Sequence, residues 1–397
     1  MQFLRNQLDK IKHKFEKGGK LEKYYYAFEA IDTFLFSPNT TTSIKGVQVR
    51  DAIDLKRLMM TVIIAMMPCL IFGMWNVGHQ HFMAIGQTDA SFGAKFWIGV
   101  VQVVPIIIVS YGVGLGIEFL FSTLRRHPVN EGFLVTGMLI PLVMPPDIPL
   151  WQVALATAFA VVIGKEAFGG TGMNVVNVAL TARAFIYFAY PPNMSGEVWT
   201  YIGEGAKVAG YSGATPLALA AESSGNVVAD LNAFGASWYE GIYSFSNMFL
   251  GAMPGSIGET STIMCLIGAF VLIATGAGSW KIIFSVFAGA YGMGLFLNAV
   301  GTTPFTQLPA YYHLVIGGLA FGAVFMATDP VTAAHTETGK WFYGILIGIF
   351  TVLIRVFNPA YPEGIMLAIL LMNVFAPLID YFVVNANKKR RLSRATV

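Results

Sequence analysis

Charge is what this sequence has least of. Of its 397 residues only 12% are Asp, Glu, Lys or Arg, while 55% are hydrophobic and the mean hydropathy is +0.61. A water-soluble domain carries about 25% charge, so lipid is the solvent for most of this chain. Cysteine is scarce too: Cys69 and Cys265 fall in apolar runs, form no C-x-x-C and no Cys/His cluster, and read as two buried thiols. That excludes a zinc centre and a disulfide framework. The absence of G-x-x-x-x-G-K-[ST] excludes a P-loop ATP-driven pump; H-E-x-x-H and a G-x-G-x-x-G following a strand are missing as well. His79 and His81 stand close together in what reads as an outside loop, as two solvated histidines rather than a metal pair. The charged N-terminus has no compact apolar core, so no cleavable signal peptide is expected.

What is present is apolar runs punctuated by basic ends. Arg5, Lys10, Lys12, Lys14, Lys17, Lys20 and Lys23 crowd the N-terminus, and Lys388, Lys389, Arg390, Arg391 and Arg394 the C-terminus. Phe3, Leu4, Leu8, Ile11 and Phe15 recur at helical spacing among those lysines, as in an amphipathic helix lying on a membrane surface or packing on a partner subunit. A crossing needs roughly 17–25 apolar residues. The chain offers ten candidates, at about 57–77, 95–123, 131–146, 150–167, 174–190, 259–278, 281–301, 309–327, 341–357 and 362–383. The third ends in Met144–Pro145–Pro146–Asp147–Ile148–Pro149 and the eighth in Ala327–Thr328–Asp329–Pro330, so both read as discontinuous helices. The expected fold is an all-α integral membrane protein of about ten spans in two five-helix repeats. An odd number of spans per repeat inverts the second and puts sites at the broken helices.

The expected divisions are 1–56 as a cytoplasmic segment and linker, 57–190 as the first repeat, 191–258 as an outside loop, 259–383 as the second repeat and 384–397 as a basic cytoplasmic tail. Both basic termini then lie on the cytoplasmic side, and the 191–258 loop, with Lys207 as its one basic residue, lies outside.

Ionisable groups inside apolar spans are costly and mark candidate sites. Glu118, Asp329 and Asp380 are the candidate ion-pathway carboxylates, with Arg183 a further intramembrane charge; Lys165 and Arg355 lie near span ends, where long side chains snorkel to the interface. Phe321 and Phe325, one turn apart before Asp329, suit either a hydrophobic gate or plain packing. Gly169–Gly170–Thr171–Gly172 leads into Asn174 and Asn177, two amides that fit hydrogen bonding to a planar polar ligand or helix capping. Gly112, Gly114 and Gly116 read as packing glycines in the second span. In the 191–258 loop, Gly210–Tyr211–Ser212–Gly213–Ala214–Thr215 presents a hydroxyl on a small-residue turn. From the residues alone it is a loop threonine.

Taken together these segments resemble the B-type membrane component of the sodium-translocating NADH:quinone oxidoreductase family, nearly end to end. The resemblance is carried by Ser212–Gly213–Ala214–Thr215, by Arg50–Asp51–Ala52–Ile53–Asp54–Leu55–Lys56–Arg57, by His127 to Gly132 and by Lys165 to Gly172. Pro254 to Glu259, Met326 to Pro330 and Asn358 to Gly364 extend it. The resemblance implies FMN in phosphoester linkage to Thr215, riboflavin held between spans near Asn174 and Asn177, and electrons passed to ubiquinone beside Gly112, Gly114 and Gly116. It further implies a sodium path through Glu118, Asp329 and Asp380, partner subunits of a bacterial inner-membrane complex, and two repeats like those of ammonium and urea channels. Ala209, Met173 and Val178 depart from the family's usual residues. The alternatives are the D-type component of the ferredoxin:NAD oxidoreductase complex, which shares the flavin motif, and a ten-span permease without redox chemistry.

Overall fold

The structure, a computed structural model, describes residues 2–16, 18–36, 55–126, 132–203, 207–236, 241–358 and 363–395. The expected linker at 37–50, the Arg50–Asp54 part of the first motif, residues 127–131 and residues 359–362 lie outside the described residues. Among the described residues there is no β-strand.

Two short helices come first, α1 (Gln2–Lys12) and α2 (Tyr25–Leu35). Arg5 pairs with Asp32 at 3.5 Å and Phe15 stacks on Phe28, so the two fold back on each other. Then come α3 (Leu55–Ala84), α4 (Phe92–Arg125), α5 (Phe133–Leu142), α6 (Leu150–Gly164) and α7 (Val178–Ala189). Three small helices follow, α8 (Pro216–Glu222), α9 (Val227–Ala233) and α10 (Phe245–Leu250). The chain continues as α11 (Thr262–Ala274), α12 (Trp280–Val300), α13 (Tyr312–Val315), α14 (Leu319–Phe321), a π-helix over Gly322–Met326, α15 (Glu337–Phe357) and α16 (Ile365–Ala395).

Six of these helices are long and apolar enough to cross a membrane, namely α3, α4, α6 with the turn after it, α12, α15 and α16; α5, α7 and α11 are shorter apolar helices. The eighth expected span is broken into α13, α14 and the π-helix. The break begins at Gly317, whose φ of +67° suits glycine and few other residues.

The sequence accounts for these boundaries. Ser91, Asn177, Ser261 and Thr336 each accept a backbone N–H at the start of α4, α7, α11 and α15, satisfying donors that have no partner within the helix. Pro141, in the last turn of α5, has no N–H for the carbonyl four residues back at Gly137. Ser110 of α4 donates to that carbonyl at 3.0 Å. Beyond Leu142 the chain extends and pairs with the segment before α11, Ile257 N–H donating to Met144 O at 3.1 Å and Gly258 N–H to Leu142 O at 2.7 Å.

Glycines set the close crossings. A side chain at Gly78 or Gly99 would collide with the backbone of the facing helix where α3 meets α4, and one at Gly289 or Gly348 would do so where α12 meets α15. In a bilayer, where apolar transfer drives no association between helices, such backbone-close packing supplies it. Other neighbours include α4 with α5 and α6, α6 with α7, α15 with α16, α3 with α5 and α11, α5 with α7, and α7 with α16.

Two expectations are corrected. His79 and His81 are not in a loop: Val77 to Ala84 contains no proline, and α3 runs through to Ala84. There His79 stacks on Trp75, and His81 Nδ1 lies 3.1 Å from the Tyr201 carbonyl. Lys165 and Arg355 do not snorkel: they are 3% and 0% exposed, because buried partners replace water.

Candidate functional site

Two cavities lie at opposite ends of the broken segments. The first is a cleft of about 830 Å³, its open mouth included, lined among others by Lys165, Asn174, Asn177, Phe325 and Asp329. The second, about 380 Å³, is lined by residues including Thr215, Ser256, Glu259, Thr260, Gly318 and Glu363. The segment through α14 and the π-helix starts at Gly317 and Gly318 in the second cavity and ends at Asp329 in the first. Helix α5 runs the other way. Its first turns, at Val135 and Thr136, line the cleft, and its end pairs with Ile257 and Gly258, beside Ser256 and Glu259 of the second cavity.

In the cleft, Asp329 is held by its own loop. Oδ1 accepts from Val331 N–H at 3.1 Å, Oδ2 accepts from the Thr332 hydroxyl at 3.0 Å, and the Asn177 amide approaches Oδ2 at 3.5 Å. Asn177 also caps α7, its Oδ1 accepting from Leu180 N–H at 3.2 Å. Its own N–H reaches Asn373 Oδ1 at 3.0 Å when that amide is turned to meet both neighbours; Asn373 and Tyr343 are then joined at 2.7 Å. Gly169, Gly170 and Gly172, all at positive φ, make the turn that brings Thr171 and Asn174 to the cleft.

Lys165 reaches the cleft while its ammonium pairs with Glu118, both carried on a buried face. The Lys165 ammonium also sits 5.8 Å from the Phe133 ring centre. Glu118 therefore meets the cleft through Lys165. Of the second-span glycines, Gly114 presses on the Phe133 ring, whereas Gly112 and Gly116 face open space. Phe321 and Phe325 are buried with ring centres 4.9 Å apart, on consecutive pieces of the broken segment. Asp380 lies apart from the cleft's lining. It accepts from His335 N–H at 2.7 Å, Thr336 N–H at 3.0 Å and the Thr336 hydroxyl at 2.5 Å, anchoring the start of α15 to α16.

The second cavity is built on charge pairs. Arg183 Nη1 donates to Glu259 Oε2 at 3.3 Å and Ser256 Oγ at 3.1 Å, and the same guanidinium also reaches the Val143 carbonyl and Glu363. Arg355 donates to the carbonyls of His313 at 2.6 Å, Ile316 at 2.8 Å and Glu363 at 3.1 Å. Thr215 is the N-cap of α8, its Oγ1 accepting from Ala218 N–H at 3.3 Å. The turn before it is stiff: Gly210 is at φ +82°, Tyr211 bonds Thr200 at 2.9 Å, and the Tyr243 hydroxyl holds the Ala214 carbonyl. A side chain at Gly213 would crowd the Glu197 carbonyl at 3.2 Å. Ser212 donates to Glu197 at 2.8 Å. That hydroxyl, followed by the Lys207 ammonium, holds the Glu197 carboxyl below the usual range.

The structure thus brings Asn174, Asn177, Asp329 and Phe325 into one cleft and places Thr215 in another. Sequence reasoning gave no site role to Glu259, Glu363 and Asn373, and assigned Lys165 to the interface. The signal for the first two was the need of a buried Arg183 for anionic partners.

The cleft's apolar walls with converging amides and hydroxyls fit a flat heteroaromatic ring, and the half-buried Thr215 on a glycine-lined rim leaves room beside its hydroxyl. Among the described residues no three His, Cys, Asp or Glu side chains group as a metal centre. The profile of the NQR2, RnfD, RnfE family matches residues 42–389. The B component of the Na(+)-translocating NADH-quinone reductase of Ectopseudomonas mendocina is 49% identical over 98% of this chain and 99% of its own length. The B components of the same reductase from Pseudomonas aeruginosa and Chromohalobacter salexigens are each 48% identical, over 98% of this chain and 99% and 96% of theirs.

Proposed function

Because the chain belongs to the NQR2, RnfD, RnfE family, we propose that it is the membrane flavoprotein subunit of a sodium-pumping NADH:quinone oxidoreductase, working with the complex's other subunits. The observation that carries this reading is the pair of cavities joined by oppositely directed broken segments, with Thr215 at one and Asp329 at the other.

The packing supports two inverted five-helix repeats, α3–α7 and α11–α16, like those of ammonium and urea channels. Each contact within the first has a counterpart in the second: α4 with α6 matches α12 with α15, and α6 with α7 matches α15 with α16. Across the halves, α3 meets α11 and α7 meets α16, the arrangement of a two-fold axis lying in the membrane plane. On this reading the termini are cytoplasmic, the Thr215 cavity faces outward and the Asp329 cleft inward, across the bacterial inner membrane. Impermeant labelling of a cysteine at position 207, but not at 389, in intact cells is expected; the reverse would invert the topology.

Thr215 carries FMN through a phosphoester, on the turn shaped by Ser212, Gly213 and Ala214. Asn174 and Asn177, with the apolar lining of the cleft, would hold riboflavin. Bound in this way, the flavins supply electron transfer toward ubiquinone. The chain's own groups do the rest. Asp329 and the Thr332 hydroxyl are hard oxygen donors that suit a dehydrating cation. Glu118, neutralised by Lys165, and Asp380, spent on the Thr336 turn, support the path rather than line the cleft. Phe321 and Phe325 close the passage between the cavities. Gly112 and Gly116 offer an open face on α4 for a flat quinone ring.

The test is twofold. Denatured wild-type chain should fluoresce as a flavoprotein. Thr215→Val should be dark while the complex assembles, and NADH should drive sodium into inverted vesicles only when Thr215 is intact. Fluorescence persisting in Thr215→Val would overturn the attachment; a colourless wild-type chain would return the fold to a permease.

A further inference from the structure

Cys69 on α3 and Cys265 on α11 stand with their sulfurs 3.8 Å apart, 1% and 0% exposed. Both are free thiols. They lie where the two halves of the molecule meet, since α3 packs on α11. One turn beyond Cys265, Gly268 lies so close that a side chain there would meet the Ala65 carbonyl of α3 and the Phe325 ring. Ala65 is one turn before Cys69. The thiol pair, the glycine-mediated approach of α11 to α3 and the Phe325 ring are therefore one packed unit.

We infer that Cys69 and Cys265 are a redox-active dithiol whose oxidation staples α3 to α11 and slows movement of the Phe325 segment. In a protein with two cysteines, random placement rarely brings both into van der Waals contact 196 residues apart in sequence. No zinc or cluster chemistry accounts for them, because no further His, Cys, Asp or Glu completes a metal group among the described residues. The separation is that of reduced thiols in contact, and forming a bond requires it to close to the S–S length of about 2 Å.

The oxidant is of the peroxide class, small and uncharged enough to enter an apolar core. One cysteine attacks the peroxide oxygen as its thiolate, becoming a sulfenic acid, and the hydroxide it displaces takes up the released proton as water. The second thiol displaces the sulfenic hydroxyl, forming the disulfide and a second water. The thiols lose two electrons and two protons, and the peroxide becomes two waters. A thiol reductant reverses the step.

The test uses inverted vesicles carrying the whole complex, treated with hydrogen peroxide, then denatured and alkylated. Peptide mass mapping should recover one peptide linked through Cys69 and Cys265, lacking two hydrogens and released by dithiothreitol. NADH-driven sodium uptake should fall with the appearance of that peptide and return with the reductant, and Cys265→Ala and Cys69→Ala vesicles should keep their uptake through the treatment. Recovery of both cysteines as alkylated thiols would overturn the proposal, as would equal peroxide loss in the variants. The uptake readout rests on the function proposed above, but the linked peptide does not. Vesicles without sodium uptake before peroxide would count against that function alone.

Discussion

The cleft at Asp329 and the cavity at Thr215 are built on opposite principles. Around Thr215 the buried charges cancel. Arg183 sits between Glu259 and Glu363, and Arg355 holds three main-chain carbonyls left over where helices break. Around Asp329 there is one half-buried carboxylate with a few amides and hydroxyls and, among the described residues, no cation paired to it; the ammonium in the lining, Lys165, is committed to Glu118. Paired charges in a low-dielectric region fix geometry, and removing one partner leaves the other stranded. A carboxylate held by neutral donors keeps its charge available. The Thr215 cavity is a clamp and the Asp329 cleft is a receiver, and the threonine proposed to carry flavin stands at the clamp.

The widest gap between the two should show in stability. Arg183→Met strands Glu259 and Glu363 and is expected to cost about 3–5 kcal/mol, read as loss of assembled protein or a much lowered Tm. A Tm equal to wild type would mean that the charges there are not clamping anything. Asp329→Asn preserves the turn, since the amide oxygen accepts from Val331 N–H in place of Oδ1 and the amide nitrogen can donate to the Thr332 hydroxyl in place of Oδ2. Here Tm should hold while half-saturating sodium rises about tenfold, equivalent to about 1.4 kcal/mol. Unchanged sodium dependence would make Asp329 a cap like Asp380. The second-span glycines sharpen the comparison further. Gly114→Val drives a side chain into Phe133, beside Lys165, and overpacking of that kind costs about 1–3 kcal/mol. Gly112→Val and Gly116→Val meet open space, so they should leave Tm alone and raise the KM for quinone. If neither changes, the open face is lipid-exposed surface only.

The smallest effect is one of pH. Glu197 is depressed by the Ser212 hydroxyl first and by Lys207 next, so its contribution to the turn is complete above the ordinary carboxylate range and is lost as pH falls through its lowered value. Proteolysis of the 197–215 loop should quicken in acid, and Glu197→Gln should flatten that dependence. A wild-type loop cut equally fast at neutral and acid pH would show that Glu197 is a bystander.

Much of this was legible in the chain itself. Long apolar runs define α3, α4, α12 and α16 because lipid tolerates few alternatives to helix, and Pro145, Pro146 and Pro330 mark both breaks. The π-helix was not legible: nothing in Gly322–Met326 differs in composition from an ordinary turn of helix, and the wider turn answers to packing against α11 and α16. Nor was the burial of Lys165 and Arg355. A charge near a span end reads the same whether it reaches for water or for a carbonyl, and only the fold brings Glu118 and the ends at His313 and Ile316 within reach. Asp329 and Asp380 look alike in sequence, as single acids in apolar surroundings. What separates them is the Thr336 turn, which takes up Asp380.

Helix α16 has 31 residues, a rod of about 46 Å at 1.5 Å per residue. Glu363 just before it is gripped by Arg183, Asn373 touches the start of α7, Asp380 grips the loop beyond Asp329, and the last turns carry Lys388 to Arg394. Pro377 leaves the Asn373 carbonyl without its helical donor, a soft joint between the second and third of these grips. Torque applied at the basic tail by a docked neighbour would be transmitted along the shaft and absorbed at that joint. On the proposed assembly, a neighbour docked there would have a mechanical handle on the cleft that requires no ligand to move.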